Sequence, residues 1–169
     1  MVKKINTLVI GAGQAGLAAS EHLSNHNIDH LILEKDRIVE RWRTSRWDSL
    51  VANGPAWHDR FPTLEFSELN KDSFATKNRV VKYFEEFAKK INAPVIENIN
   101  VLKVEKYSEN NFLIKTSDGE FEAKNVICAT GAFQVPVIPS IIPEDSNILQ
   151  LHSQFYKNPE QLKNGAVLV

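Results

Sequence analysis

Residues 5–16 read Ile5-Asn6-Thr7-Leu8-Val9-Ile10-Gly11-Ala12-Gly13-Gln14-Ala15-Gly16, and the fold is decided here. Ile5 to Ile10 is a short apolar run with the β-branched content of a buried strand. The glycines break it, and Leu17 to Leu23 resumes with alanine-rich helix formers that Asn25 and Asn27 end. Gly11, Gly13 and Gly16 make G-x-G-x-x-G, a weak pattern alone that gains meaning between a strand and a helix. Gly11 allows the tight turn, Gly13 lets a pyrophosphate approach the backbone, and Gly16 lets helix and strand pack closely. The free N–H groups at the helix start, around Gln14 and Ala15, then face the phosphates with the positive end of the helix dipole. Ile28 to Glu34 reads as the next buried strand, and Glu34 lies 18 residues after Gly16. A carboxylate there accepts hydrogen bonds from both ribose hydroxyls and repels a 2′-phosphate, so the site suits FAD or NAD and not NADP.

Composition agrees with a folded domain around that unit. The chain has 169 residues, 43% hydrophobic and 24% charged, with 20 Lys and Arg against 21 Asp and Glu. Its formal charge of -1 leaves no positive field for nucleic acid or an anionic membrane, and neither is expected as a partner. One cysteine, Cys128, excludes an internal disulfide framework and suits a cytoplasmic setting. The apolar run after Lys3 and Lys4 stops at Gly11, too soon for a signal peptide.

Outward from the glycine turn, residues 36–70 show no clean period and read as loops and short helices that cover something. Thr76 can cap a helix to about Ile91, with Val80, Phe84, Phe87 and Ile91 as its core stripe. Past Pro94 the period becomes two. Asn98 to Tyr107, Phe112 to Thr116 and Glu120 to Ala123 are expected strands, joined by turns at Glu109-Asn110-Asn111 and Asp118-Gly119. Asn125 to Ala129 reads as a further buried strand ending at Thr130-Gly131. Short strands are expected at Ile148 to Leu151 and Ala166 to Val169, with a helical turn near Pro159. The fold class is therefore α/β, a Rossmann-like parallel sheet with a three-stranded antiparallel meander at about 98–123.

The meander followed by Ala129-Thr130-Gly131 resembles the FAD-binding domain of two-dinucleotide flavoproteins, in which that A-T-G lies against the flavin nucleotide. The likeness narrows with Glu34-Lys35, Glu40-Arg41-Trp42-Arg43, Arg46-Trp47-Asp48-Ser49-Leu50, Asn53-Gly54-Pro55 and Trp57-His58-Asp59-Arg60-Phe61-Pro62. With Ala132-Phe133, Pro136 to Pro139, His152-Ser153 and Tyr156-Lys157, these motifs resemble bacterial members of the flavin-containing monooxygenase family. The resemblance implies FAD as cofactor, NAD(P)H as reductant in the full-length enzyme, and a small-molecule substrate oxygenated through a flavin C4a-peroxide. It places Trp42 and Arg43 near the flavin and pyrophosphate, and gives Asn53 a catalytic position at the flavin ring. Ser146 and Ile148 stand where the family's identifying stretch has an aromatic residue and a glycine.

Members also carry a second glycine motif directly after a strand resembling Ala166 to Val169. Residues 1–145 are thus expected to form the FAD-binding domain, and 146–169 to begin a truncated NAD(P)H-binding domain. The chain alone is expected not to complete a monooxygenase cycle, and its exposed C-terminal segment offers a surface for a homodimer. Two other readings stay open: a fragment of a flavin-dependent disulfide reductase or dehydrogenase, and a non-catalytic FAD-binding domain. Arg37, Arg41, Arg43 and Arg46 do not argue for RNA, since Asp36, Glu40 and Asp48 leave residues 36–48 at +1. His22, His26 and His30 have helix-like spacing but no accompanying carboxylates or cysteines, so no metal is expected. Cys128 reads as a small core residue of a buried strand.

Overall fold

The computed structural model describes residues 2–141, 143 and 147–169. Strand β1 (Lys3–Ile10) runs into the glycine turn, helix α1 (Gln14–Asn25) crosses back, and strand β2 (His30–Leu33) lies parallel to β1. A long excursion follows, holding the short helix α2 (Glu40–Thr44), before helix α3 (Lys77–Lys90). The chain then forms β3 (Val95–Ile96), β4 (Val101–Ser108), β5 (Asn111–Thr116) and β6 (Gly119–Cys128). The six strands make one mixed sheet in the order β3-β2-β1-β6-β5-β4. Its β3-β2-β1-β6 half is parallel and its β6-β5-β4 half antiparallel, the expected Rossmann-like sheet and meander.

Alternation along β1 explains the two cores. Val9 points to one face, where Leu17 of α1, Ile32 and the α3 stripe of Val80, Phe84 and Phe87 pack. Leu8 points to the other, against Leu33, Ile114, Phe121 and Ala123. Thr76 caps α3 as expected, its Oγ1 accepting the Arg79 N–H at 3.3 Å. Tyr83, 1% exposed, fastens the excursion to α3: its hydroxyl accepts the Phe61 N–H at 2.6 Å and donates to the Leu64 carbonyl at 2.5 Å. Phe61 stacks on Phe87 with centroids 3.7 Å apart, so the WHDRFP motif reaches the core through its phenylalanine.

Several expectations change. Glu120 to Ala123 and Asn125 to Ala129 are one strand, β6, which pairs with β5 from Gly119 to Ala123 and with β1 from Phe121 to Cys128. Lys124 does not break it, because a charged residue is tolerated on a face that meets water. The two-residue β3, unmarked in the sequence, extends the parallel edge beside β2. Strands at Ile148 to Leu151 and Ala166 to Val169 do not form; neither segment has a ladder to join, and a strand exists only by pairing. The helical turn near Pro159 is present at Pro159–Gln161, capped by Asn158. Cys128 is exposed, contrary to its reading as a core residue: it is the last residue of β6, at the open end of the sheet. Ser146 lies outside the described residues.

Candidate functional site

The carboxyl ends of β1, β2 and β6 meet the glycine turn at one cleft of about 750 Å³, where an open α/β sheet takes its ligand. Gly11 has φ +103°, and a Cβ there would sit 2.5 Å from the Ala129 carbonyl oxygen. A Cβ on Gly16 would lie 1.9 Å from the Gly11 oxygen, so these two positions lock the turn between β1, α1 and the A-T-G segment. Gly13 differs: a Cβ there meets nothing within 4 Å. It is the N-cap of α1 with no side-chain cap, and the first turn of α1 has no acidic residue, so the Gln14 and Ala15 N–H groups are left to a ligand.

Glu34, just past β2, stands opposite. Its Oε2 accepts the Ala12 N–H at 2.7 Å and its Oε1 the Asp36 N–H at 3.1 Å, so backbone on both sides fixes the carboxylate. Each oxygen keeps a lone pair for a hydroxyl. Val39 ties the next loop to the same turn, its N–H reaching the Ala12 carbonyl at 3.3 Å. It does so at φ 59°, a left-handed conformation costly for a β-branched residue and found here at the cleft wall.

The cleft wall includes Gly11, Gly13, Gln14, Ala15, Glu34, Lys35, Trp42, Ala129, Thr130 and Gly131. Gly16 sits behind it as a packing residue. Arg43 is placed elsewhere: its Nη2 meets Glu85 of α3 at 2.6 Å, a strut between α2 and α3. The arginines at the cleft are Arg41 and Arg46, the latter over the Trp42 ring at 5.7 Å. Arg41 donates to the Phe133 carbonyl and, at 3.2 Å, to Gln154 Oε1, so it clamps two distant segments to α2. Arginine spacing along α2 could have separated Arg41 from Arg43, since residues two apart on a helix face different ways. His152, Ser153 and Gln154 complete the wall, held there by Lys157 on the Thr44 and Arg46 carbonyls and by Asn158 on Asp48 Oδ2 at 3.0 Å. Asn53 is exposed and lines a second hollow that shares Gln14 and Trp42 with the cleft. The three histidines do not converge: His22 on α1 and His26 just past it are exposed, while His30 of β2 is buried and bonds Ser20 Oγ at 2.7 Å.

Residues 8–169 match the model of the pyridine nucleotide-disulphide oxidoreductases. The chain belongs to that family. Relatives of the chain include the uncharacterized oxidoreductase CzcO of Bacillus subtilis (strain 168), 42% identical over 169 residues covering 97% of this chain and 47% of CzcO. A flavin monooxygenase from Stenotrophomonas maltophilia superposes with a TM-score of 0.85 at 26% identity, over 94% of this chain and 48% of that one. The bacillithiol disulfide reductase Bdr of Staphylococcus aureus gives 0.70 at 26% identity, over 77% and 39%. The family is one of flavin-dependent oxidoreductases with monooxygenases and disulfide reductases among its neighbours. The chain spans about half the length of the curated relatives it matches. Among the described residues, no helix is long and apolar enough to cross a membrane.

Proposed function

We propose that this chain is the FAD-binding part of an NAD(P)H-dependent flavin monooxygenase acting on a small molecule. The observation that carries the reading is the pairing of an open, uncapped Gly13 cradle with a Glu34 carboxylate held by two backbone N–H groups across the same cleft. The pyrophosphate lies against Gly11 to Gly16, the adenosine ribose on Glu34 beside Lys35, and Ala129 to Gly131 support the nucleotide from β6. Trp42 and Asn53 stand on the flavin side, and Arg41 and Arg46 provide the cations at the place that the family resemblance gives to Arg43. When bound, FAD supplies the acceptor for a hydride and, once reduced, the means to activate O₂. The chain's own share is to bind and orient: N–H dipoles meet phosphate charge, Glu34 selects an unphosphorylated ribose, and the covering loop keeps water out.

In this reading residues 1–145 are the FAD-binding domain and 146–169 begin the NAD(P)H-binding domain, in a cytoplasmic protein. Disulfide reduction is the second reading, favoured by the likeness to Bdr over 77% of the chain. The deciding experiment titrates FAD and NADP against the purified chain by fluorescence and then follows NADPH oxidation, with O₂ uptake or with a disulfide as acceptor, in the full-length protein. Saturable FAD binding by the chain, with oxygenated product from the full-length protein, supports the proposal. Failure to bind FAD, or preference for NADP at this cleft, overturns it.

A further inference from the structure

The loop from Asn53 to Arg60 carries a constellation that nucleotide binding leaves unused. Asp59 Oδ2 accepts the Gly54 N–H at 2.6 Å, and its Oδ1 meets His58 Nδ1 at 2.8 Å. The His58 hydrogen bond is the main reason the Asp59 carboxyl lies below its ordinary range. The loop is fixed on both sides, the Ala52 N–H on the Ala75 carbonyl at 2.7 Å and the Ala56 N–H on Ser73 at 2.8 Å. A carboxylate on Nδ1 keeps Nδ1–H in both charge states, so the neutral ring has its lone pair on Nε2 and the imidazolium carries the proton to be given there. Among the described residues no hydrogen bond engages that Nε2.

His58 and Asn53 line the same hollow, about 370 Å³, with Phe66, Tyr83 and Phe84 among its aromatic walls. Gln14 and Trp42 line this hollow and the nucleotide cleft alike, so the two adjoin at those side chains. We infer that His58 is the proton donor to the group held in this hollow and Asp59 its positioning residue. The inference rests on the oxidoreductase reading.

Both reactions open to that reading consume one proton. Oxygenation of a substrate S follows NAD(P)H + H⁺ + O₂ + S → NAD(P)⁺ + H₂O + SO. The hydride brings both electrons, the O–O bond breaks, one oxygen bonds to S and the other leaves as water. Disulfide reduction follows NAD(P)H + H⁺ + RSSR → NAD(P)⁺ + 2 RSH, in which the S–S bond breaks. The His58 side chain is 66% exposed, so bulk water returns the proton it gives. The ionisable groups around it are Asp59, Arg60 with Glu65 at 3.5 Å, and Tyr83 across the hollow.

The test is ¹⁵N-histidine NMR of the full chain, followed by reduction of the FAD-loaded chain with a small dihydronicotinamide. The expected spectra show the neutral form of His58, the one left after it gives its Nε2 proton, as the Nδ1–H tautomer, a preference lost in Asp59→Asn, with its Nε2 signal moved by FAD while that of His22 stays. His58→Ala should slow reduction by about tenfold or more, with free imidazole restoring the rate, within the range of general acid catalysis. FAD binding that leaves the His58 Nε2 signal unmoved overturns the inference alone, as does His58→Ala reduction at the wild-type rate. Failure of the wild-type chain to bind FAD removes the flavin reading and this inference with it.

Discussion

At the residue scale the glycines of one motif divide by job, Gly11 and Gly16 for close packing and Gly13 for access to the backbone. Gly13→Ala meets open space at φ -86°, which alanine adopts, so the variant should keep the wild-type melting temperature while its methyl crowds the phosphate. Gly16→Ala must displace the Gly11 carbonyl and should cost about 1–3 kcal/mol of stability, read by urea denaturation. A Gly13→Ala chain that binds FAD as wild type does would remove the phosphate assignment. Glu34→Ala should weaken FAD binding by about 1–3 kcal/mol through lost charge-assisted hydrogen bonds, measured by fluorescence titration. It also frees the Ala12 and Asp36 N–H groups, so the melting temperature should fall too. Unchanged affinity would show that the ribose lies elsewhere.

At the element scale, α3 and the 61–66 loop depend on Tyr83. Tyr83→Phe strands the Phe61 N–H and the Leu64 carbonyl and should cost about 1–3 kcal/mol, or a few degrees in the melting temperature. Burial raises the Tyr83 hydroxyl above its ordinary value. The folded state therefore holds that proton more tightly than the unfolded chain. This contribution is complete below the ordinary tyrosine range, near pH 10, and is lost as pH rises through the folded value. Denaturation midpoints at pH 9 and pH 11 should show a steeper alkaline loss in wild type than in Tyr83→Phe; parallel losses would refute it. The stripe on α3 was legible because a helix repeats locally. The partners of Tyr83 were not, since they lie in a loop with no period.

At the scale of the whole molecule, Arg41 joins α2 to segments far along the chain. Arg41→Ala should raise hydrogen exchange and protease cutting at 131–134 and 152–157 while leaving the sheet protected. Equal protection in both proteins would show that the clamp carries no weight.

The sequence alone determined what short-range physics controls. The glycine turn follows from backbone freedom, Glu34 from its place at a strand end, α3 from its stripe, and the meander from period two with turn residues between. Tertiary structure decided the rest. Nothing local says that residues 119–128 form a single strand, because its first part answers to β5 and, from Phe121, to β1 as well, and its last part to β1 alone. Cys128 is exposed because the cleft opens there, Arg43 turns to Glu85 because α3 packs beside α2, and His152 to Gln154 reach the cleft through Arg41 and Lys157. Each depends on a contact between segments distant in sequence, formed only once the chain has closed around the sheet.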